Sequence, residues 1–266
     1  MTAERTSQGD PRRSMELLWG RRPAPTRGPK QGLSVARIVA RATEIADAEG
    51  LAALSMRRVA EGLGVGTMSL YTYVPSKAEL LDVMLDTAYG ELVGVFDEAT
   101  GWREGLEARA RASWDLYARH PWILQVAGAR VLLGPNELQL FEDILGTVAG
   151  TGLRGREMVA VTSLVGRYVQ GAAQAYAEAR GAHLRTGVSD DEWWVARSAI
   201  LDEVWDPERW PLITAVQDAG AFEDLVVTEE EPYLVAEARA DFEFGLARVL
   251  DGIGAFIAAR AGGDPA

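Results

Sequence analysis

The chain has 266 residues, 48% of them hydrophobic, a formal net charge of −12 and no cysteine. A core for one large or two modest domains is within reach, while disulfides, thiolate catalysis and zinc–thiolate centres are excluded. No apolar run approaches the roughly 18 residues of a membrane-spanning helix, and the first residues have no apolar signal core, so a cytoplasmic location is expected. The charge is unevenly placed: residues 1–80 hold 12 Arg/Lys against 8 Asp/Glu, and the remainder holds 15 against 31. A slightly basic N-terminal part on a strongly acidic body suits a small polyanion-binding module attached to a larger domain.

Residues 1–32 are rich in Pro, Gly and Arg with little periodicity, which predicts an extended or disordered basic arm. Its Arg12, Arg13, Arg21, Arg22, Arg27 and Lys30 either form a passive tail or reach a nucleic-acid groove. Ser34 caps a predicted helix in which Val35, Ile38, Val39, Ala42, Ile45 and Ala46 recur at helical spacing, with Gly50 as its stop. The next three pieces are Ser55–Leu63 with Ser55 as cap, a turn over Gly64–Gly66, and a short helix Thr67–Val74 ended by Pro75. This is the outline of a helix-turn-helix, whose second helix enters the DNA major groove. Val59, Ala60, Leu63, Val65, Leu70 and Val74 form its predicted core, leaving Thr67, Met68, Ser69 and Tyr71 facing outward. Ser76 to Glu79 read as a capping box opening a fourth helix, "AELLDVMLDTAYGELVGVF".

The remainder, residues 81–266, also reads as helix throughout, and strand alternation is absent. Two segments suit a two-fold dimer: residues 156–180, where Gly171 and Ala175 permit close approach, and a final stripe including Leu246, Val249, Ile253 and Phe256. Seven of the eight tryptophans lie in this body. Trp114, Tyr117, His120, Trp122, Tyr168, Gln174, Tyr176 and Trp194 are the candidate lining of an aromatic ligand pocket. The acidic field suits an aromatic or cationic small-molecule effector. His120, beside Pro121, is the candidate coupling residue. "GTGLRG" (150–155) fits G-x-G-x-x-G, but "ELQLFEDILGTVA" before it has helical rather than strand periodicity, so no nucleotide site is expected. With two histidines and no cysteine there is little material for a metal cluster or a nucleophilic dyad, so neither metal, cofactor nor catalysis is expected.

The stretch "SVARIVARATEIADAEGLAALSMRRVAEGLGVGTMSLYTYVPSKAELLDVML" resembles the DNA-binding region of the TetR family of transcriptional regulators. "ARHPW", "YVQGA" and "FEFGLARVLDGI" are similar to segments of the tetracycline-repressor-like C-terminal domain. The resemblance implies an all-α chain: a three-helix helix-turn-helix DNA-binding domain at 33–80, then a helical-bundle ligand-binding and dimerisation domain at 81–266. It implies a ligand-responsive regulator, a repressor by family default, bound to a palindromic operator as a homodimer. By position it also implies that Arg57 contacts base or phosphate, that Thr67, Met68 and Ser69 face base edges or nearby phosphates, and that Tyr71, Tyr73 and Lys77 meet the phosphate backbone. Tyr73 has packing as its alternative role. The competing function is a helical small-molecule-binding or interaction protein whose DNA binding is weak or lost.

Overall fold

The computed structural model describes residues 10–21, 32–94, 101–126, 131–222, 225, 227–228 and 231–261. Arg22, Arg27 and Lys30 of the basic arm lie outside them. Among the described residues every regular element is helical. The chain divides into two compact units, one of residues 1–170 with 248–266 and one of residues 171–247.

The N-terminal segment departs from the expected extended arm. Asp10 accepts the amides of Arg12 and Arg13, Pro11 takes the first helical position, and α1 (Pro11–Leu18) follows. An Asp cap ahead of Pro is a preorganised helix start. Leu17 and Leu18 are buried, which ties this helix to the rest of the first unit.

The helix-turn-helix forms as its pattern requires. Ser34 accepts the Arg37 amide and opens α2 (Val35–Glu49), which ends at Gly50 with φ 80°. After a 3-10 turn at Leu51–Ala53, Ser55 accepts the Arg58 amide and opens α3 (Met56–Gly62). Gly64, at φ 66°, makes the left-handed turn that a Cβ would strain, and α4 (Thr67–Tyr73) follows. Val74 is extended, as a residue before proline should be. Ile38, Val59, Ala60, Leu70 and Val74 are fully enclosed, with Leu63 and Val65 partly so.

Next comes α5 (Lys77–Tyr89), then a 3-10 turn at Gly90–Leu92. Ser76 caps α5 through the Ala78 amide at 3.1 Å. The capping box itself does not close: the Glu79 carboxylate is buried and takes the Ser76 hydroxyl and the Asp10 amide instead. The body continues with α6 (Trp102–Arg119), α7 (Ile123–Val126), α8 (Pro135–Val148) and the long α9 (Gly155–Thr186). Residues 149–154, with Gly150 and Gly152 at positive φ, are the link from α8 to α9, so the glycine motif sits between helices as expected. The apolar core of the first unit is continuous from α1 and the helix-turn-helix through α5 to Leu116, Trp122, Ile123 and Val126.

The second unit contains the end of α9, then α10 (Asp190–Val204), α11 (Pro211–Asp218) and the first part of α12 (Tyr233–Ala261). Ser189 and Glu192 close a full capping box on α10. Trp193 and Trp194 stack edge to face at 5.1 Å, with the Arg197 guanidinium 4.0 Å from the Trp193 ring centre.

The stripe on α12 is largely internal. Leu246 and Ile253 are 1% and 3% exposed within the monomer. Phe242 and Leu250 are buried with equal completeness. The helix is apolar on more than one side, and the regular stripe is the one the monomer uses. Phe256, at 40% exposure, and Phe244 remain on its outer surface, and Val249 is half-buried.

Candidate DNA-binding interface and its link to the body

Leu70 and Val74 clamp α4 onto α3, and this fixes what α4 presents. Met68 is 77% exposed and Tyr71 38% exposed, with Ser69 also exposed and Thr67 half-buried. Positions 67, 68 and 71 share one helical face, so a single short helix presents these side chains together. The surface offers a thioether, hydroxyls and a phenol. It lacks an Arg, Gln or Asn of the kind that makes a bidentate contact with a base edge.

Three flanking residues complete the set. Arg57 lies exposed on α3 and its Nε donates to Glu61 Oε1 at 2.8 Å. That hydrogen bond and the Glu61 charge raise the guanidinium further above its already high range. Tyr73 is half-buried and packs against the core. Lys77 donates from Nζ to the Leu54 carbonyl at 2.6 Å, which pins the start of α5 to the turn between α2 and α3. A second exposed cation, Arg58, is ion-paired with Glu49 across the same turn.

The link to the body runs through α5, and sequence reasoning missed the residues that build it. Glu79, Asp82 and Asp86 lie at i, i+3 and i+7, a spacing that reads as a solvated stripe, yet all three are buried. Each is answered by a donor from another element. Asp10 donates its amide to Glu79 at 3.3 Å, and Ser14 Oγ donates to Asp82 at 2.6 Å. Asp86 accepts the Glu137 amide at 2.9 Å and the Asn136 amide and side chain at 3.4 and 3.1 Å, which caps α8 from outside. Gly134 leaves the space that Asp86 fills, where a Cβ would collide with the carboxylate. Burial raises the Asp86 carboxyl above the usual range even though these hydrogen bonds oppose it.

A second link sits at the end of α6. Asp47 on α2 accepts Trp122 Nε1 at 2.8 Å, and the same oxygen faces His120 Nδ1 at 2.8 Å. The other ring nitrogen of His120 faces Glu91 at 3.2 Å, and Glu91 is ion-paired with Arg119. Burial pushes the Glu91 carboxyl up, but the hydrogen bond and charge of Arg119, with His120 adding to them, hold it below its ordinary value.

Two of the candidate pocket residues also join α2 to the end of α6: Trp122 is enclosed by the core with its N–H given to Asp47, and His120 faces a carboxylate from each ring nitrogen. Tyr117 packs against the same core, and burial raises its phenol pKa. Trp114 is buried on α6, and Tyr168 is half-buried on α9. In the other unit Tyr176 is buried beside Arg239, Gln174 is exposed and donates to Glu178, and Trp194 is exposed. Among the described residues no cluster of His, Cys, Asp and Glu is arranged to hold a metal, and no helix is long and apolar enough to cross a membrane.

Known proteins agree with this architecture. The family described as "Bacterial regulatory proteins, tetR family" matches residues 38–84, and "Tetracyclin repressor-like, C-terminal domain" matches residues 97–257. The HTH-type transcriptional repressor DrrR1 of Streptomyces coeruleorubidus is 41% identical over 262 residues, covering 98% of this chain and 92% of that protein. Among solved structures, Streptomyces coelicolor ActR in complex with actinorhodin superposes with a TM-score of 0.67 at 26% identity, covering 85% of this chain and 97% of ActR. ActR in complex with (S)-DNPA gives 0.61 at 28% identity, covering 84% and 98%. With both halves of the architecture matched over most of its length, the chain belongs to the TetR family of DNA-binding transcriptional regulators.

Proposed function

We propose that the protein is a repressor that binds a palindromic operator as a homodimer and releases it when a small molecule enters the body. One observation carries the DNA half: α4 is clamped by the fully buried Leu70 and Val74 while Met68, Ser69 and Tyr71 stand in solvent with no structural task to account for them. Arg57, Thr67, Met68 and Ser69 read bases and nearby phosphates, while Tyr71, Tyr73 and Lys77 hold the backbone. Lys77 keeps its carbonyl bond and adds a phosphate, since an ammonium carries three donors. The module spans residues 33–80 and the body 81–266. The repressor relative DrrR1 supports the sign of regulation, and the ligand complexes of ActR support a small-molecule effector.

A single module of this size reads few base pairs, so two copies are needed, with half-sites about 34–36 Å apart. The exposed faces of α9, with Gly171 and Ala175, and of α12, with Phe256, supply the contact. The effector, aromatic or cationic, is received in the body, where the candidate residues are Trp114, Tyr117, His120, Trp122 and Tyr168 in the first unit and Gln174, Tyr176 and Trp194 in the second. Ligand binding favours one arrangement of the body, and α5 together with the Asp47–His120–Glu91 joint passes that preference to the reading helices.

Selecting duplexes from a random pool with the full chain, then titrating salt, tests the reading. The reading calls for steep loss of affinity with salt, from counterion release. Negligible binding at low salt would instead favour an interaction protein that has lost its DNA. Screening small molecules for release of the selected duplex, read by intrinsic tryptophan fluorescence, tests the effector half.

A further inference from the structure

We propose that α1 is a strap that holds α5 against the first turn of α8 and thereby sets the position from which α4 reads DNA. This rests on the DNA-binding reading and adds a part to it. Two contacts in order, Asp10 to Glu79 and Ser14 to Asp82, show that α1 runs alongside α5 in the same direction, and a third joins Trp19 Nε1 to the Leu133 carbonyl at 3.0 Å. The third contact passes beyond α5 to the entry of α8. Leu133 is held there at φ 60° with its amide donated to Glu137, and Gly134 beside it receives Asp86. The first unit therefore closes a ring: α1 binds α5 at Glu79 and Asp82, α5 binds α8 at Asp86, and α8's entry binds α1 at Trp19.

The chemistry makes the strap consequential. Buried carboxylates need donors, and α1 supplies donors to two of the three on α5. Leu17 and Leu18 add apolar burial. Eight residues are too few for an isolated helix to persist in water, so α1 exists only while docked, and undocking it is all-or-none. With α1 away, Glu79 loses the Asp10 amide and Asp82 the Ser14 hydroxyl together, and α5 is free to re-seat against α8.

The test uses the full chain with Ser14→Ala and Trp19→Phe combined, and Trp19→Phe alone as the milder variant. Hydrogen exchange is followed over residues 80–88 and 135–139, with α3 as internal control. Duplex binding is measured on a sequence selected by the unaltered chain. The double variant should exchange about tenfold faster in α5 and the start of α8, as expected for losing a hydrogen bond to a charged group. It should keep α3 unchanged and bind the selected duplex at least about fivefold more weakly, while low-salt binding to random DNA stays the same. Trp19→Phe alone should fall between. Unchanged protection of α5 overturns the strap, and so does lost protection with undiminished affinity for the selected duplex. An unaltered chain that selects no duplex defeats the regulator reading instead, and the exchange measurement still decides whether α1 holds α5.

Discussion

Tyr71 and Leu70 are neighbours with opposite environments, and that contrast makes the reading surface testable. Tyr71→Ala should weaken binding to specific and random duplex alike, by about tenfold for one lost phosphate contact, because such contacts carry no sequence information. A change confined to the specific duplex would move Tyr71 to base reading. Leu70→Ala opens a cavity under α4 and should cost about 2–5 kcal/mol of stability, seen as a lower denaturant midpoint before any DNA is added. The Glu91 carboxyl gives a pH signature. Its folded value lies below 4.5, so its contribution to stability is complete above that and is lost as pH falls through the depressed value. Asp86 has the reverse sign: its raised value means that stability is lost as pH rises from 3.8 through the folded value. In acid denaturation, Glu91→Gln should therefore shrink the loss of stability on the acid side, and Asp86→Asn should shrink the opposing gain.

At the scale of elements, the helix-turn-helix was legible because each of its residues obeys a local rule. Ser34 and Ser55 are caps, Gly50 and Gly64 are turns, Pro75 is a stop, and the apolar positions keep helical spacing. The misses share a cause: they depend on partners far away in sequence. α1 carries its own signal in Asp10–Pro11, but the surrounding Pro, Gly and Arg outweighed it. Asp82 and Asp86 carry no signal of burial in the sequence because nothing nearby reveals that Ser14 and the amides of α8 will meet them. On α12 the most regular stripe turned inward, since periodicity marks a buried face without saying whether a second copy or the same chain buries it. The Asp47 partnership of Trp122 and His120 is another such distant pairing. Gly134→Ala tests the reach of such distant pairings. A methyl there collides with Asp86, and melting temperature should fall by several degrees with α8's first turn losing protection.

For the whole molecule, the imbalance of charge has a kinetic meaning. A net charge of −12 repels DNA at long range, so encounter depends on the basic N-terminal part meeting the duplex first. Association should be slower at low salt than for a basic module of the same size. The proposed two-fold arrangement predicts a dimer in sedimentation at micromolar concentration. Phe256→Glu should shift that mass toward the monomer and weaken binding to the two-half-site duplex far more than to a single half-site. An unshifted mass would remove α12's outer face from the interface.

The buried acids of α5 also bear on how such regulators can be recombined. A fusion that joined residues 33–80 to a foreign body would look complete by the helix-turn-helix pattern. It would strip Glu79 of the Asp10 amide and leave behind Asp82 and Asp86 with the Ser14 hydroxyl and the amides of residues 136 and 137 that answer them. The exchangeable cassette is therefore defined by those hydrogen bonds: α1 at one end, the opening turn of α8 at the other, and the reading helix carried between them. A graft that respects those limits should keep both operator choice and response. One cut at residue 80 should keep the fold of α3 and α4 and lose the connection.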